Sequence, residues 1–154
     1  MKKIKYYLET TVFNFIFADD APEKKKATEK LFSDWSMLNG EMYISEIVID
    51  EIERAQEPKR SKMYDFIQNY NPTMFKLNEE SRELAEKYVA EGVIPEKFRN
   101  DALHIAVATV NDIDVVISWN LEHIVKLKTR MAVNGINALL GYKGIEITTP
   151  EEVL

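Results

Sequence analysis

The fold of this chain is constrained most by short apolar runs that alternate with longer stretches of helical periodicity. The runs IKYYL and VVIS are of strand length, whereas NDALHIAVATVN is of helix length and almost apolar all round, which indicates a deeply packed helix. The sequence predicts strands at 4–8, 42–45, 115–118 and 145–148 and helices at 22–39, 46–55, 59–69, 79–91, 100–111 and 134–140. Because strands that alternate with helices form covered parallel sheets, we predict an α/β fold, a three-layer sandwich around a central, mostly parallel β-sheet.

Length and composition exclude several classes of protein. The 154 residues suffice for one domain, which we assign to 1–154, without a Gly/Ser-rich linker. The absence of cysteine excludes disulfides, thiolate metal sites and cysteine nucleophiles, and it suits a reducing cytoplasm. No apolar run approaches the roughly 18 residues of a membrane helix, so we expect a cytoplasmic protein without a membrane partner. The net charge of −6 argues against strong non-specific binding of nucleic acid.

Acidic residues follow two of the predicted strands. Glu9 comes directly after the first strand, and Glu51 lies on the helix after the second. Helical geometry places Glu51 within the apolar face of its helix, whereas Asp50 lies at the margin of that face and Glu53 outside it. A buried carboxylate is costly unless it is paired or bound to metal, so Glu51 is the informative acid.

Two further polar residues are expected at the same edge of the sheet. Asp101 opens the apolar helix, and Asn120 follows the VVIS strand almost at once. Each residue also has a purely structural interpretation: Asp101 can cap its helix, and Asn120 can occupy a turn. Glu9 can equally be a solvated loop residue, and Glu51 can form a salt bridge. Because ligands bind beyond the carboxyl ends of parallel strands, where all four residues are expected, we predict a shared site.

The predicted site is rich in carboxylate and amide oxygens, which favour a hard divalent cation such as Mg²⁺ or Mn²⁺. Such an ion activates water and stabilises charge on a phosphate, so the pattern predicts phosphodiester hydrolysis. Chemistry based on a protein nucleophile is less well supported. Neither His104 nor His123 lies in a recognisable triad motif, and the sequence has no Gly-rich phosphate loop.

Four stretches, in this order and spacing, resemble the successive motifs of the PIN domain: YYLETTVFNF, ISEIVIDEI, RNDALHIAVAT and VVISWNLEHIV. The resemblance runs over essentially the whole chain and includes the closing stretch GIEITTPEEVL. PIN domains are metal-dependent ribonucleases, and they include the VapC-like toxins of toxin–antitoxin pairs. The resemblance therefore implies a PIN-like parallel sheet, Mg²⁺ or Mn²⁺ as cofactor, RNA as substrate and an antitoxin protein as partner.

The family pattern carries over residue by residue. It places metal-binding, catalytic acids at Glu9, Glu51 and Asp101 and a fourth catalytic position at Asn120, preceded by Ser118. Most members have Asp where this chain has Glu9, and an acid is common at the position of Asn120. Because Glu9 adds a methylene and Asn120 lacks the charge, we expect weaker metal binding. The resemblance implies an endoribonuclease toxin, and the alternative is a catalytically weakened PIN-fold module that binds RNA or protein.

Several neighbours of the acids are expected to surround the site or to contact substrate. These are Thr10, Ser118, His104 and His123. His104 lies one helical turn after Asp101, so it can bond to that acid, contact a phosphate or simply be a satisfied histidine on a packed helix.

Aromatic residues near the predicted site have both core and functional interpretations. Trp119 can stack on a base, although tryptophans more commonly lie in the core. Phe13, Phe15 and Phe17 alternate along VFNFIF, and they can pack in the core or form the surface of a homodimer.

Overall fold

The computed structural model describes residues 2–153. Its five strands are β1 (Ile4–Leu8), β2 (Gly40–Ser45), β3 (Thr73–Phe75), β4 (Val115–Ile117) and β5 (Glu146–Thr148). Its helices are α1 (Thr10–Phe15), α2 (Pro22–Ser33), α3 (Glu46–Glu53), α4 (Lys59–Tyr70), α5 (Glu79–Ala90), α6 (Arg99–Val110), α7 (Leu127–Leu140) and α8 (Pro150–Val153). Two 3₁₀ helices span Trp35–Met37 and Glu96–Phe98. No helix among the described residues is long and apolar enough to cross a membrane.

All five strands pair in parallel, in the order β3-β2-β1-β4-β5. The central strand is β1, whose Tyr7 pairs with Tyr43 of β2 on one side and with Val116 of β4 on the other. The chain first builds the sheet outward through β2 and β3 and then returns to add β4 and β5 beside β1. The strand order therefore reverses between β1 and β4, which is where ligands bind in sheets of this kind.

The core lies on both faces of the central strands. Tyr7 and Leu8 of β1 are fully buried, as are Val116 and Ile117 of β4. Helix α6, which was predicted to be deeply packed, is buried almost continuously from Ala102 to Thr109. The structure thus confirms the predicted three-layer α/β sandwich with a parallel central sheet.

Local structure departs from the sequence prediction in several places. The helix predicted over 134–140 begins at Leu127, and the short helix α8 was not predicted. The six-residue helix α1 follows β1 directly, where no helix was predicted. The helix predicted over 22–39 ends at Ser33, and a 3₁₀ helix continues the chain. This segment keeps an apolar spacing of three residues between Trp35 and Leu38, so periodicity alone does not separate the two helix types. Strand β3, with only three residues at the edge of the sheet, was not predicted.

Candidate functional site

Three neighbouring strands end at the same edge of the sheet and carry polar residues there. Glu9 follows β1 directly and continues the sheet, because its N–H donates to the carbonyl of Ile117 (3.0 Å). Ser45 ends β2 and caps α3, accepting a hydrogen bond from the N–H of Ile47 (3.2 Å). Ser118 comes immediately after β4. These residues form the floor of a site at the point where the strand order reverses.

Glu9 is a buried carboxylate held by two hydroxyl groups. Only 3% of the residue is exposed, and Oε1 accepts hydrogen bonds from Ser118 Oγ (2.6 Å) and from the hydroxyl of Thr11. Burial raises the pKa of Glu9, although the charge of His104 and the two hydroxyl donors oppose that rise. Glu9 is therefore not a solvated loop residue.

Glu51 projects toward the same place from α3 and is only partly buried, with 27% of its side chain exposed. Its Oε1 accepts hydrogen bonds from Thr10 Oγ1 (2.6 Å) and His104 Nε2 (2.6 Å). Burial by itself raises the pKa of Glu51, but the hydrogen bond and charge of His104 and the hydroxyl of Thr10 outweigh it, so the pKa is lowered. Asp50 and Glu53 on the same helix are exposed, in agreement with the predicted helical face.

His104 connects Glu51 to a buried hydrogen-bonded chain. Its Nδ1 lies 2.7 Å from Tyr7 Oη, which lies 2.7 Å from Ser45 Oγ. Burial lowers the pKa of His104, but the hydrogen bond to Glu51 and the charges of Glu51, Glu9 and Asp101 outweigh burial and raise it. His104 is fully buried, and both ring nitrogens have partners.

Asp101 lies in the first turn of α6 and has different partners from Glu9 and Glu51. Its Oδ2 is 3.0 Å from Nδ1 of His123, and its side chain is only 14% exposed. Burial raises the pKa of Asp101, and His104, the side chain of Asn120 and His123 oppose that rise. The hydrogen-bond partner of Asp101 is therefore His123, which lies outside α6. His104, the partner that the sequence spacing suggested, bonds to Glu51 instead.

Asn120 and His123 form a turn beside the acids. Asn120 Oδ1 accepts a hydrogen bond from the backbone N–H of His123 (3.0 Å), and the N–H of Asn120 donates to Ser118 Oγ (2.9 Å). Asn120 thus occupies a turn, as its structural interpretation expected. A hydrogen bond from its side chain also opposes the rise in the pKa of Asp101. Trp119 is buried and its Nε1 donates to Thr28 Oγ1 (2.7 Å), so its ring belongs to the core.

Two residues of the network were not predicted as part of the site. Tyr7 was counted only as an apolar strand residue, although a buried tyrosine needs a partner for its hydroxyl group. Ser45 is the N-cap residue of α3, a role that by itself accounts for a serine at this position. The signal that could have revealed both is their position at the ends of adjacent strands, one or two residues from the edge that carries Glu9.

The residues present fit a divalent cation. One ligand atom each of Glu9, Glu51 and His104 lies within 4.8 Å of the others, and two carboxylates at this separation repel one another unless a cation or proton intervenes. His104 is the poorest candidate among the three, because Nε2 must carry a proton to bond to the ionised carboxylate of Glu51 and then has no free lone pair. The donors that can hold Mg²⁺ or Mn²⁺ are therefore the carboxylates of Glu9 and Glu51. Asp101 is not a member of the group of ligand atoms that lie within 4.8 Å of one another.

Comparison with known proteins supports the fold. No protein-family model matches this sequence, and no curated protein matches it. A crystal structure of VapBC2 from Rickettsia felis bound to a DNA fragment from their promoter contains a chain similar to this one, with a TM-score of 0.55 and 15% sequence identity. The similarity covers 95% of this chain and 98% of that chain. At this identity the match concerns the fold alone, and with the sheet described above it shows that the chain has a PIN-like three-layer α/β fold.

Proposed function

We propose that this protein is a metal-dependent endoribonuclease that hydrolyses RNA phosphodiester bonds with Mg²⁺ or Mn²⁺. The observation that carries the proposal is the pair of carboxylates, Glu9 and Glu51, that converge at the reversal of strand order. Each is oriented by its own hydroxyl donors, Ser118 and Thr11 for Glu9 and Thr10 for Glu51. Among the described residues, no lysine or arginine forms a salt bridge with either carboxylate, although the charge of Arg54 helps to lower the pKa of Glu51. A site with two oriented carboxylates therefore suits a cation better than it suits an anion.

The residues around the acids have distinct roles in this proposal. Glu9 and Glu51 hold the cation together with Asp101, and His104 holds Glu51 in position. When bound, Mg²⁺ or Mn²⁺ supplies Lewis-acid chemistry for phosphodiester hydrolysis. Asn120 contributes an uncharged side-chain amide that hydrogen-bonds to Asp101.

The experiment that tests this function is Mn²⁺-dependent cleavage of a mixed RNA pool by the purified protein. Glu51→Gln is expected to abolish cleavage, because it removes a charge from the site and keeps the size of the side chain. Asp50→Asn is the matched control, since Asp50 is an exposed acid one residue away on the same helix. Equal cleavage by Glu51→Gln and the wild-type protein would refute the proposed site.

We further infer that the protein is the toxin of a toxin–antitoxin pair. Support comes from the sequence resemblance to VapC-like toxins and from the fold shared with a chain of the VapBC2 complex. Expression of the wild-type protein is then expected to arrest growth, and Glu51→Gln is expected to relieve the arrest at equal protein level. Arrest that persists in Glu51→Gln would separate toxicity from the acidic site.

One observation favours a second candidate, a binding module of the same fold with a weakened metal site. Oε1 of Glu9 and Oε1 of Glu51 each accept two hydrogen bonds from protein donors, so these two oxygens are satisfied without a cation. The two candidates differ in their response to Mn²⁺. Calorimetry that detects no Mn²⁺ binding, together with RNA binding that needs no metal, would favour the binding module.

A further inference from the structure

Phe98 is an exposed aromatic residue close to Asp101. It directly precedes α6 and comes three residues before Asp101 in the sequence. Asp101 and His104, which bonds to Glu51, lie one turn apart on α6, so Phe98 lies at the edge of the acidic site. The residue is 38% exposed. A single exposed apolar side chain needs no explanation by itself, so the groups around Phe98 decide whether its ring has a function.

The ring of Phe98 stacks on the imidazole of His123. The ring centroids are 4.1 Å apart and the ring planes are inclined by 33°. His123 Nδ1 is 3.0 Å from Asp101 Oδ2, its backbone N–H donates to Asn120 Oδ1 (3.0 Å), and its carbonyl accepts a hydrogen bond from Thr129 Oγ1 (2.9 Å). His123 is therefore held in place on several sides, and it gives the exposed ring of Phe98 a fixed support.

The other aromatic residues considered near the site do not offer an exposed ring. Trp119 and Phe13 are buried, Phe15 packs on Trp119, and Phe17 packs on Phe66. The phenylalanines of VFNFIF therefore have the core interpretation rather than that of a dimer surface. A base that enters the site cannot stack on any of these rings without displacing their partners.

His123 also lines a small basic hollow. The hollow has a volume of about 230 Å³ and includes Lys126, Lys128 and one acid, Glu122. Glu122 Oε1 lies 3.8 Å from His123 Nε2, and Lys126 Nζ donates to the backbone carbonyl of Glu122 (3.3 Å). Pockets that enclose a whole small molecule measure roughly 300–1,000 Å³. The hollow is smaller than these, so it suits contact with one charged group of a longer ligand.

A third lysine lies beside the stacked rings. Lys97 Nζ is 5.8 Å from the centroid of the phenylalanine ring. The neighbouring acid, Glu96, lies 3.6 Å from Arg99. Within residues 2–153, no protein acid forms a salt bridge with Lys97, Lys126 or Lys128. Lysines that contact phosphates, next to an aromatic ring that stacks on a base, are the means by which proteins bind single-stranded nucleic acid.

We propose that Phe98 is a stacking platform for an unpaired base of single-stranded RNA whose phosphates contact Lys97, Lys126 and Lys128. The inference rests on the proposed function, because it identifies single-stranded RNA as the substrate class of the same acidic site. A duplex keeps its bases stacked inside the helix, so it cannot present one to Phe98. The platform therefore selects an unpaired segment and holds it at the edge of the site.

Binding of three RNA probes by the metal-free protein tests the proposal apart from cleavage. The probes are an oligoadenylate of about 12 nucleotides, an abasic ribose-phosphate strand of the same length, and the oligoadenylate paired with its complement. Fluorescence anisotropy should show that the wild type binds the single-stranded oligoadenylate more tightly than the other two probes. Phe98→Leu is expected to weaken that binding at least about fivefold, because a stacked base is lost. It should leave binding of the abasic strand unchanged, and Phe98→Trp should keep the preference.

Two kinds of variant serve as controls. Tyr70→Leu is the matched control, because Tyr70 is also 38% exposed but ends α4 just before β3 begins, at the opposite edge of the sheet. It should bind all three probes like the wild type. Lys126→Gln and Lys128→Gln should weaken binding of the oligoadenylate and of the abasic strand alike, and each should reduce the dependence of binding on salt.

Three results would overturn the stacking platform. The first is equal weakening of oligoadenylate and abasic binding in Phe98→Leu, because the ring would then only support His123. The second is a Phe98→Leu protein that binds the oligoadenylate like the wild type. The third is a wild-type protein that binds no single strand at up to about 100 µM, the weak end of non-specific binding to nucleic acid.

The cleavage assay separates this inference from the proposed function. Mn²⁺-dependent cleavage by a wild-type protein whose RNA binding does not depend on Phe98 would refute the platform and leave the nuclease. Base-dependent binding that is lost in Phe98→Leu, by a protein that does not cleave RNA, would refute the nuclease and support the platform.

Discussion

Replacing Tyr7 with phenylalanine removes a single hydroxyl group that links β1, β2 and α6 beneath the acidic site. That hydroxyl lies 2.7 Å from Ser45 Oγ and 2.7 Å from His104 Nδ1. All three residues have no exposed surface, so solvent cannot take the place of the lost partner. The substitution keeps the aromatic ring and therefore isolates the hydrogen bonds from the packing.

The expected loss of stability follows from the groups that are left without a partner. A buried polar group that loses its hydrogen bond costs about 1–3 kcal/mol. Nδ1 of His104 loses its partner fully, whereas Ser45 Oγ keeps the N–H of Ile47 at 3.2 Å. We therefore expect the free energy of unfolding to fall by about 2–3 kcal/mol, which for a chain of this length lowers the melting temperature by roughly 4–12 °C.

The same substitution should also weaken metal binding, because His104 orients Glu51 through its other nitrogen. Groups that orient a ligand typically change metal affinity by about 10–100-fold when they are removed. We expect Mn²⁺ affinity to fall about tenfold in Tyr7→Phe, because the His104–Glu51 hydrogen bond survives but its geometry is less restricted.

Urea unfolding and calorimetric titration with Mn²⁺ measure the two effects separately. Tyr64→Phe is the matched control, since the Tyr64 hydroxyl bonds to the exposed acid Glu53 and should contribute little, about 0–1 kcal/mol. If Tyr7→Phe unfolds like the control and binds Mn²⁺ like the wild type, then the buried chain does not hold Glu51 and the role given to His104 is wrong.

Three further predictions concern Glu9 and Asn120. Burial raises the pKa of Glu9 above its ordinary value of 4.5, so the stability that Glu9 contributes is full below pH 4.5 and is lost as the pH rises through the raised pKa. Metal-free Glu9→Gln should therefore lose less stability than the wild type as the pH rises from about 4.5 to neutrality. Identical pH profiles of the two proteins in urea unfolding would contradict this prediction. Glu9→Asp shortens the side chain by one methylene but keeps its charge, so RNA cleavage should survive in part. Complete loss of cleavage would mean that the backbone cannot adjust to the shorter side chain. Asn120→Asp adds a charge beside Asp101 and should tighten Mn²⁺ binding, whereas unchanged or weaker affinity in calorimetry would place Asn120 outside the reach of the metal.

Helical periodicity predicted the orientation of Glu51 well. The apolar residues of EIVIDEI define one face, and that pattern alone separated Glu51 from Asp50 and Glu53, which the structure shows to be exposed. The prediction succeeds because the orientation of a helical residue relative to its neighbours is a local property. The parallel sheet and the position of Glu9 at its edge could be predicted for a similar reason, since both depend on the order of the elements.

The hydrogen-bond partners within the site could not be predicted. His104 shares α6 with Asp101 at a spacing of three residues, so the sequence suggested contact within the helix. Its actual partners, Tyr7 and Glu51, come from β1 and α3 and are 97 and 53 residues away in the sequence. Such contacts depend on how the helices pack against the sheet, and no local sequence pattern predicts that packing.

Helix α1 was missed because its sequence gives contradictory signals. The phenylalanines of VFNFIF alternate as they would in a strand. Glu9 occupies the N-cap position but makes no side-chain capping bond, because its carboxylate accepts bonds from Thr11 and Ser118 instead. Glu9 therefore lacks the side-chain capping bond that marks the start of a helix, because its carboxylate belongs to the site.

We propose that Glu9 and Glu51 bind one divalent cation between them, and calorimetric titration of the metal-free protein with Mn²⁺ tests this most directly. We expect the wild type and Asp50→Asn to bind one Mn²⁺ per chain. We expect Glu9→Gln and Glu51→Gln to lose most of that affinity while both variants remain folded. Unchanged Mn²⁺ affinity in either glutamine variant would contradict the claim.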